Sequence, residues 1–178
     1  MIIFGVGHSG TSLLTRMVQT LGWNVNDADE AFAESIGLRA ANRRLLTKGW
    51  TVDWETSARD ILQSFARPFA IKDPRLVETL PHWIPVFSRL RWSPMLLMIE
   101  RSRDDLVRSY VERREIVRGQ PGTRNRTLDE LLELAAQNYS RWPYAKMAIR
   151  YEKVVEAASL VRTNRAMRTV GGLWLDEE

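Results

Sequence analysis

The run Ile2–Leu14, IIFGVGHSGTSLL, narrows the choice of fold more than any other stretch of the chain. Bulky apolar residues suited to a strand buried on both faces lead into a glycine-rich turn and then a helix start. Gly5, followed after four residues by Gly10-Thr11-Ser12, has the spacing of a phosphate-binding P-loop. Gly5, Gly7 and Gly10 let the backbone turn sharply and approach a ligand closely. Ser9–Ser12 then offer backbone N–H groups at a helix N-terminus, where the peptide dipole also favours an anion, and Thr11 and Ser12 add hydroxyls. Thr11 stands where a nucleoside triphosphatase has lysine. The expected donor is therefore a nucleotide other than a triphosphate clamped by such a lysine. A strand–turn–helix connection with glycines only for packing is the plainer reading, and it leaves the clustered hydroxyls unexplained.

Strand and helix patterns alternate along the 178 residues, which predicts one α/β domain over 1–178 with a central parallel sheet of about five strands flanked by helices, a three-layer P-loop-like fold. The predicted strands are Ile2–Val6, Trp23–Val25, Phe69–Lys72, Met95–Glu100 and Met147–Tyr151. The predicted helices are Thr11–Leu21, Ile36–Leu46, Trp54–Phe65, Arg103–Arg118 and Leu128–Arg141, the last announced by the capping box Thr127-x-x-Glu130. Pro81 and Pro85 are expected to break or kink the segment after Arg75. Gly119–Arg126 reads as a polar, mobile loop.

Composition removes several classes. There is no cysteine, hence no disulfide framework or thiolate metal site, and two histidines, His8 and His82, argue against a His-based zinc site. No long apolar run predicts a membrane span, and no secretory signal is recognised, so a cytoplasmic location is expected. The net charge of +4 is carried mostly by arginine, which suits bidentate grip on phosphate-like groups and is weak support for nucleic acid as a partner. The seven tryptophans read as core or rim packing, with an apolar acceptor pocket as the alternative.

A second informative segment is PMLLMIERSRDDLVRSYVERR. MLLMI reads as a buried strand, Arg101 lies at its C-terminal end, where open α/β sheets bind ligands, and Ser109 follows eight residues later. A guanidinium and a hydroxyl converging there suit a second phosphate. Pairing of Arg101 with Asp104 or Asp105 is the alternative.

GVGHSGTSLL, followed by this Arg…Ser pair, resembles the nucleotide site of sulfotransferases that use 3′-phosphoadenosine 5′-phosphosulfate (PAPS). IKDPRL at Ile71–Leu76, FAESIGLRAANRRLL at Phe32–Leu46 and IRYEKVVE at Ile149–Glu156 are similar to further elements of the tyrosylprotein-type and bacterial members, in the family's order. The resemblance implies a P-loop-like fold and transfer of a sulfuryl group to a hydroxyl or amine on a small-molecule, carbohydrate or peptide acceptor. It places the 5′-phosphosulfate at Gly7, His8, Ser9, Gly10, Thr11 and Ser12, and the 3′-phosphate at Arg101 and Ser109. It puts Tyr151 near the adenine, makes Glu34 the general base, and has Lys72 stabilise the leaving phosphate. His8 stands where the family has Lys or Arg and is a third catalytic candidate, donating to the sulfate. No metal ion and no nucleic acid are implied. Glu34 as a helix-start acid, Asp73 as the base, and a different P-loop nucleotide binder, kinase-like or non-catalytic, stay open as alternatives.

Overall fold

The computed structural model describes residues 1–25, 33–117, 120–123 and 125–160. In chain order the elements are β1 (Ile2–Phe4), α1 (Thr11–Thr20), α2 (Ile36–Lys48), α3 (Val52–Gln63), β2 (Ile71–Lys72), α4 (Leu76–Arg89), β3 (Leu96–Glu100), α5 (Arg103–Glu112), β4 (Ile116–Val117), β5 (Gln120–Pro121), α6 (Leu128–Arg141) and β6 (Lys146–Arg150). Residues 151–160 are again helical. The fold is α/β, with a four-stranded parallel sheet in the order β2-β1-β3-β6 flanked by helices. β4 and β5 form a separate antiparallel pair. Among the described residues no helix is long and apolar enough to cross a membrane.

The central strands are apolar on both sides because both sides are covered. Ile2, Phe4 and Leu96 pack into one cluster with α2–α6, while Ile3, Leu97 and Ile99 pack into another with Leu14 and Val18 of α1 and with Val154. The direction of chain travel reverses at the middle of the sheet. β1 connects onward to β2 on one side, and β3 connects onward to β6 on the other. The carboxyl ends of β1 and β3 therefore border a crevice, the usual ligand site of open α/β sheets.

The expected fifth strand at Trp23–Val25 is a single parallel bridge, Asn24 to Phe69. Asn24 spends its backbone groups on Pro68 and Ala70, each at 2.8 Å, and the Trp23 amide turns back to the Val18 carbonyl at 3.2 Å. Pro68, lacking an N–H, cannot extend the ladder. The expected helix to Arg118 ends at Glu112; the chain turns through Arg113 and Arg114 and is extended at Ile116–Val117. The loop expected over Gly119–Arg126 contains β5, and Gly119 and Arg124 lie outside the described residues.

α4 is the largest departure from the sequence reading, since it runs through both Pro81 and Pro85. Six of its apolar side chains, Leu76, Val77, Leu80, Trp83, Val86 and Phe87, are buried, while both prolines face solvent. At about 1.5–3 kcal/mol for each buried side chain, that face outweighs about 3 kcal/mol for each interior proline. The carbonyl that Pro81 leaves without its helical donor is that of Val77. Asn138 of α6 supplies the missing bond, Nδ2 donating to it at 2.7 Å in the interior.

Asn138→Ala is expected to lower stability by about 1–3 kcal/mol, because a buried carbonyl loses the donor that replaces its helical one. In a P81A background, where a backbone N–H is restored, the same substitution should cost clearly less. Thermal melts of the four proteins in this cycle check it, and equal costs in both backgrounds would contradict the account.

Candidate functional site

The loop from β1 to α1 is held from two other elements. Gly10, immediately before α1, has φ 100°, and a Cβ there would sit 2.5 Å from the Tyr151 ring, so the position needs glycine. His8 also takes a positive φ, 65°. Its carbonyl accepts from Nη1 of Arg101, at the end of β3, at 2.7 Å, and the Arg101 guanidinium lies 4.5 Å from the centroid of the Tyr151 ring. The loop is thus pinned across the crevice between β1 and β3. No side chain caps α1, which leaves its first turn for another acceptor. The Ser9 amide is the exception to the expected row of free donors, since it bonds to the Val6 carbonyl at 3.2 Å.

Lys72, the last residue of β2, is 2 % exposed. Its Nζ donates to Ser12 Oγ at 3.1 Å and to Glu34 Oε1 at 3.2 Å. Glu34 precedes Ser35, whose hydroxyl caps α2 by accepting from the Leu38 amide. Its other oxygen accepts from Arg75 Nη1 at 3.4 Å, and the same Nη1 donates to Asp73 at 2.8 Å. Asp73 is itself fixed by the Arg75 amide at 2.8 Å and by Asn42 Nδ2 at 3.0 Å. Asn42 in turn accepts from Thr79 and from the Trp83 indole, both at 2.8 Å. Three stretches distant in sequence, at Ser12, Glu34–Asn42 and Lys72–Trp83, are tied into one largely buried network.

A cavity of about 330 Å³ opens at this edge of the sheet. His8, Gly10, Thr11, Ser12, Glu34, Lys72, Arg101 and Ser109, all singled out from the sequence, line it. Gly7, Ser9 and Tyr151 do not. Gly7 lines a neighbouring, larger cavity, Tyr151 backs Gly10, and the Ser9 hydroxyl is enclosed without a partner beside a pocket of about 190 Å³ that also borders Arg101. Neither Asp104 nor Asp105 is an ion-pair partner of Arg101 among the described residues; Asp105 bonds to Ser102 and Arg108. Arg101 Nε is also enclosed and unpartnered. His8 presents Nε2 to Glu115 at 3.2 Å and its ring to Tyr110 at 4.5 Å.

Three residues of the site escaped the sequence reading. Arg113 lines the same cavity one helical turn beyond Ser109, a spacing that places both on one helix face. Arg75 was visible only as part of IKDPRL. Tyr110 lies with its hydroxyl enclosed and unpartnered; burial, with Glu115 nearby, pushes its phenol up to about 12, so it is a neutral hydroxyl at physiological pH. The larger cavity, about 570 Å³, borders the first at Pro74 and Glu115. Among the described residues no tryptophan lines either one; Trp54 and Trp83 are core, 5.3 Å apart.

Hydroxyls, an uncapped helix start and arginines make the smaller cavity suited to an anion with two phosphate-like groups. Among the described residues no three or more His, Cys, Asp or Glu side chains are arranged to hold a metal ion. The segment toward Glu178, including GGLWLDEE, lies outside the described residues. No protein-family model, curated protein or solved structure matches this chain.

Proposed function

We propose that this chain is a sulfotransferase of P-loop-like fold that takes its sulfuryl group from PAPS. The observation that carries the proposal is the convergence of His8, Gly10, Thr11, Ser12, Glu34, Lys72, Arg101 and Ser109 on one cavity at the carboxyl edge of the sheet. They come from five separate places in the chain, and each carries a group that the sequence resemblance assigns to the site. The donor set fits the nucleotide. Thr11, Ser12, Lys72 and the start of α1 suit the 5′-phosphosulfate, and Arg101, Ser109 and Arg113 suit the 3′-phosphate. Arg101 Nη1 is engaged with His8, yet a guanidinium carries five N–H donors, so the loop and a phosphate can share it.

Bound there, PAPS supplies a sulfuryl group on a good phosphate leaving group. The chain supplies the rest. Glu34, fixed by Lys72 and Arg75, accepts the proton of the acceptor hydroxyl. As the acceptor oxygen bonds to sulfur, the bond from sulfur to the 5′-phosphate oxygen breaks and that oxygen keeps the electron pair. Lys72 Nζ, 3.1 Å from Ser12 Oγ at the loop, offsets the charge developing there. Because the network is preassembled, little reorganisation remains for the reacting state.

Adenosine 3′,5′-bisphosphate should bind the wild-type protein, and Arg101→Ala should weaken it by about ten- to a hundredfold, the loss of about 1.5–3 kcal/mol for a charged hydrogen bond. Adenosine 5′-monophosphate and ATP with magnesium should be much less affected. Titration calorimetry reads all three ligands. A parallel loss for all would mean that Arg101 only shapes the loop, and preference for ATP with magnesium would favour a kinase-like protein.

Glu34→Gln should keep bisphosphate affinity and cut labelled-sulfate transfer by about a hundred- to ten-thousandfold, since the amide keeps the shape but cannot take a proton. Near-normal transfer would remove Glu34 as the base.

A further inference from the structure

The 570 Å³ cavity beside the nucleotide site has a composition that selects its ligand. Its walls include Val6, Leu46, Val77, Leu131 and the Tyr110 ring, which suit an apolar ring system. Its carboxylates have partners, Glu78 paired with Arg126 at 2.9 Å and Glu115 lying 3.2 Å from His8 Nε2. Arg75 is committed to Asp73 and Glu34. The remaining cation of the lining is Arg43, an exposed residue of α2 whose guanidinium makes no ion pair or hydrogen bond with a described residue. The cavity therefore offers apolar walls with one exposed cation that has no partner among the described residues, and Arg75, which also lines it, bonds to Glu34.

We infer that this cavity holds the acceptor, and that the acceptor is a small hydroxylated aromatic carrying one anionic group. The inference rests on the sulfotransferase reading and adds the substrate class. The ring lies against Leu46, Val77 and Leu131, the anion meets Arg43, and the hydroxyl reaches past Arg75 to Glu34. There the hydroxyl loses its proton to Glu34, its oxygen bonds to sulfur, and the electrons of the broken sulfur–oxygen bond stay on the departing phosphate. The volume lies within the usual range of about 300–1,000 Å³ for small-molecule sites. A neutral sugar would leave both the apolar walls and Arg43 without a counterpart.

The probes are 4-hydroxyphenylacetate, its uncharged counterpart 4-hydroxyphenylacetamide, and N-acetylglucosamine. Each is titrated into the full chain with and without saturating adenosine 3′,5′-bisphosphate. The acid should bind about fivefold more tightly than the amide, the scale of one exposed ion pair, and the sugar more weakly than either. Arg43→Ala should bring the acid–amide ratio to about one, and Arg43→Glu should invert it, with melting temperatures showing that both variants fold. A wild-type ratio near one, a ratio unchanged by Arg43→Ala, or tighter binding of the sugar would overturn the proposal. Bisphosphate that fails to bind, with the acid preference intact, defeats the sulfotransferase reading and the acceptor role with it. Bound bisphosphate without acid preference defeats only the substrate class.

Discussion

A lysine ammonium 2 % exposed at the end of a strand is the constraint around which this molecule is arranged. An uncompensated charge at that depth costs several kcal/mol, so Lys72 requires a carboxylate and further acceptors at its own depth. Glu34 and Ser12 meet that need directly. Glu34, also buried, requires a second donor in turn, which Arg75 provides, and Arg75 is aimed by Asp73. Asp73 is anchored by Asn42, and Asn42 ties the chain of charges to Thr79 and Trp83 in the core. Two cations face two carboxylates, so the buried set is formally neutral, and hydrogen bonds take up most of the remaining valence.

That balance leaves the charges satisfied where chemistry is proposed and donors exposed to a cavity where a ligand is proposed. Inside the network the charges answer one another. At its rim stand the start of α1, which no side chain caps, the Ser109 hydroxyl and Arg113. An incoming dianion would meet these donors while the groups that hold Glu34 stay in place. The sheet topology supplies the location. β1 and β3 are neighbours whose onward connections leave in opposite directions, so the loop at residues 5–10 and Arg101 face each other across one crevice, joined by the bond from Arg101 to the His8 carbonyl.

Much of this was legible in the chain because it is written locally. A strand, glycines at set spacing and a helix start lie within Ile2–Leu14, and α6 carries its capping box at Thr127 and Glu130 and runs over Leu128–Arg141 as expected. What stayed hidden depends on distant partners. α4 looked broken by Pro81 and Pro85 because the donor that repairs it, Asn138, lies 61 residues from Val77. Trp23–Val25 looked like a strand because its apolar pattern does not show that Pro68 will be the neighbour. Arg75, Asn42 and Tyr110 lie inside IKDPRL, FAESIGLRAANRRLL and PMLLMIERSRDDLVRSYVERR, yet nothing in those segments names their partners; their roles exist only once Glu34, Asp73 and Gly7 have been brought beside them. Arg113 is the instructive intermediate, since its four-residue spacing from Ser109 was readable within the expected helix Arg103–Arg118, and it holds that place as the cap of α5, which ends at Glu112.

Sequence and tertiary structure bear on function differently here. The motif residues carry the donors a phosphate would need, and a surface arrangement of the same residues would bind an anion weakly, because water would screen each contact. What makes the groups worth more together is their shared burial. Glu34, Lys72 and Asp73 are all less than a tenth exposed, yet Glu34 and Lys72 still border a cavity. A carboxylate fixed between two cations, with its approach lined by apolar side chains on the adjoining side, is oriented before any ligand arrives. The cost of burying those charges is met during folding, by Asn42, Thr79 and Trp83 as much as by the residues at the cavity wall, and so need not be met again when a ligand binds.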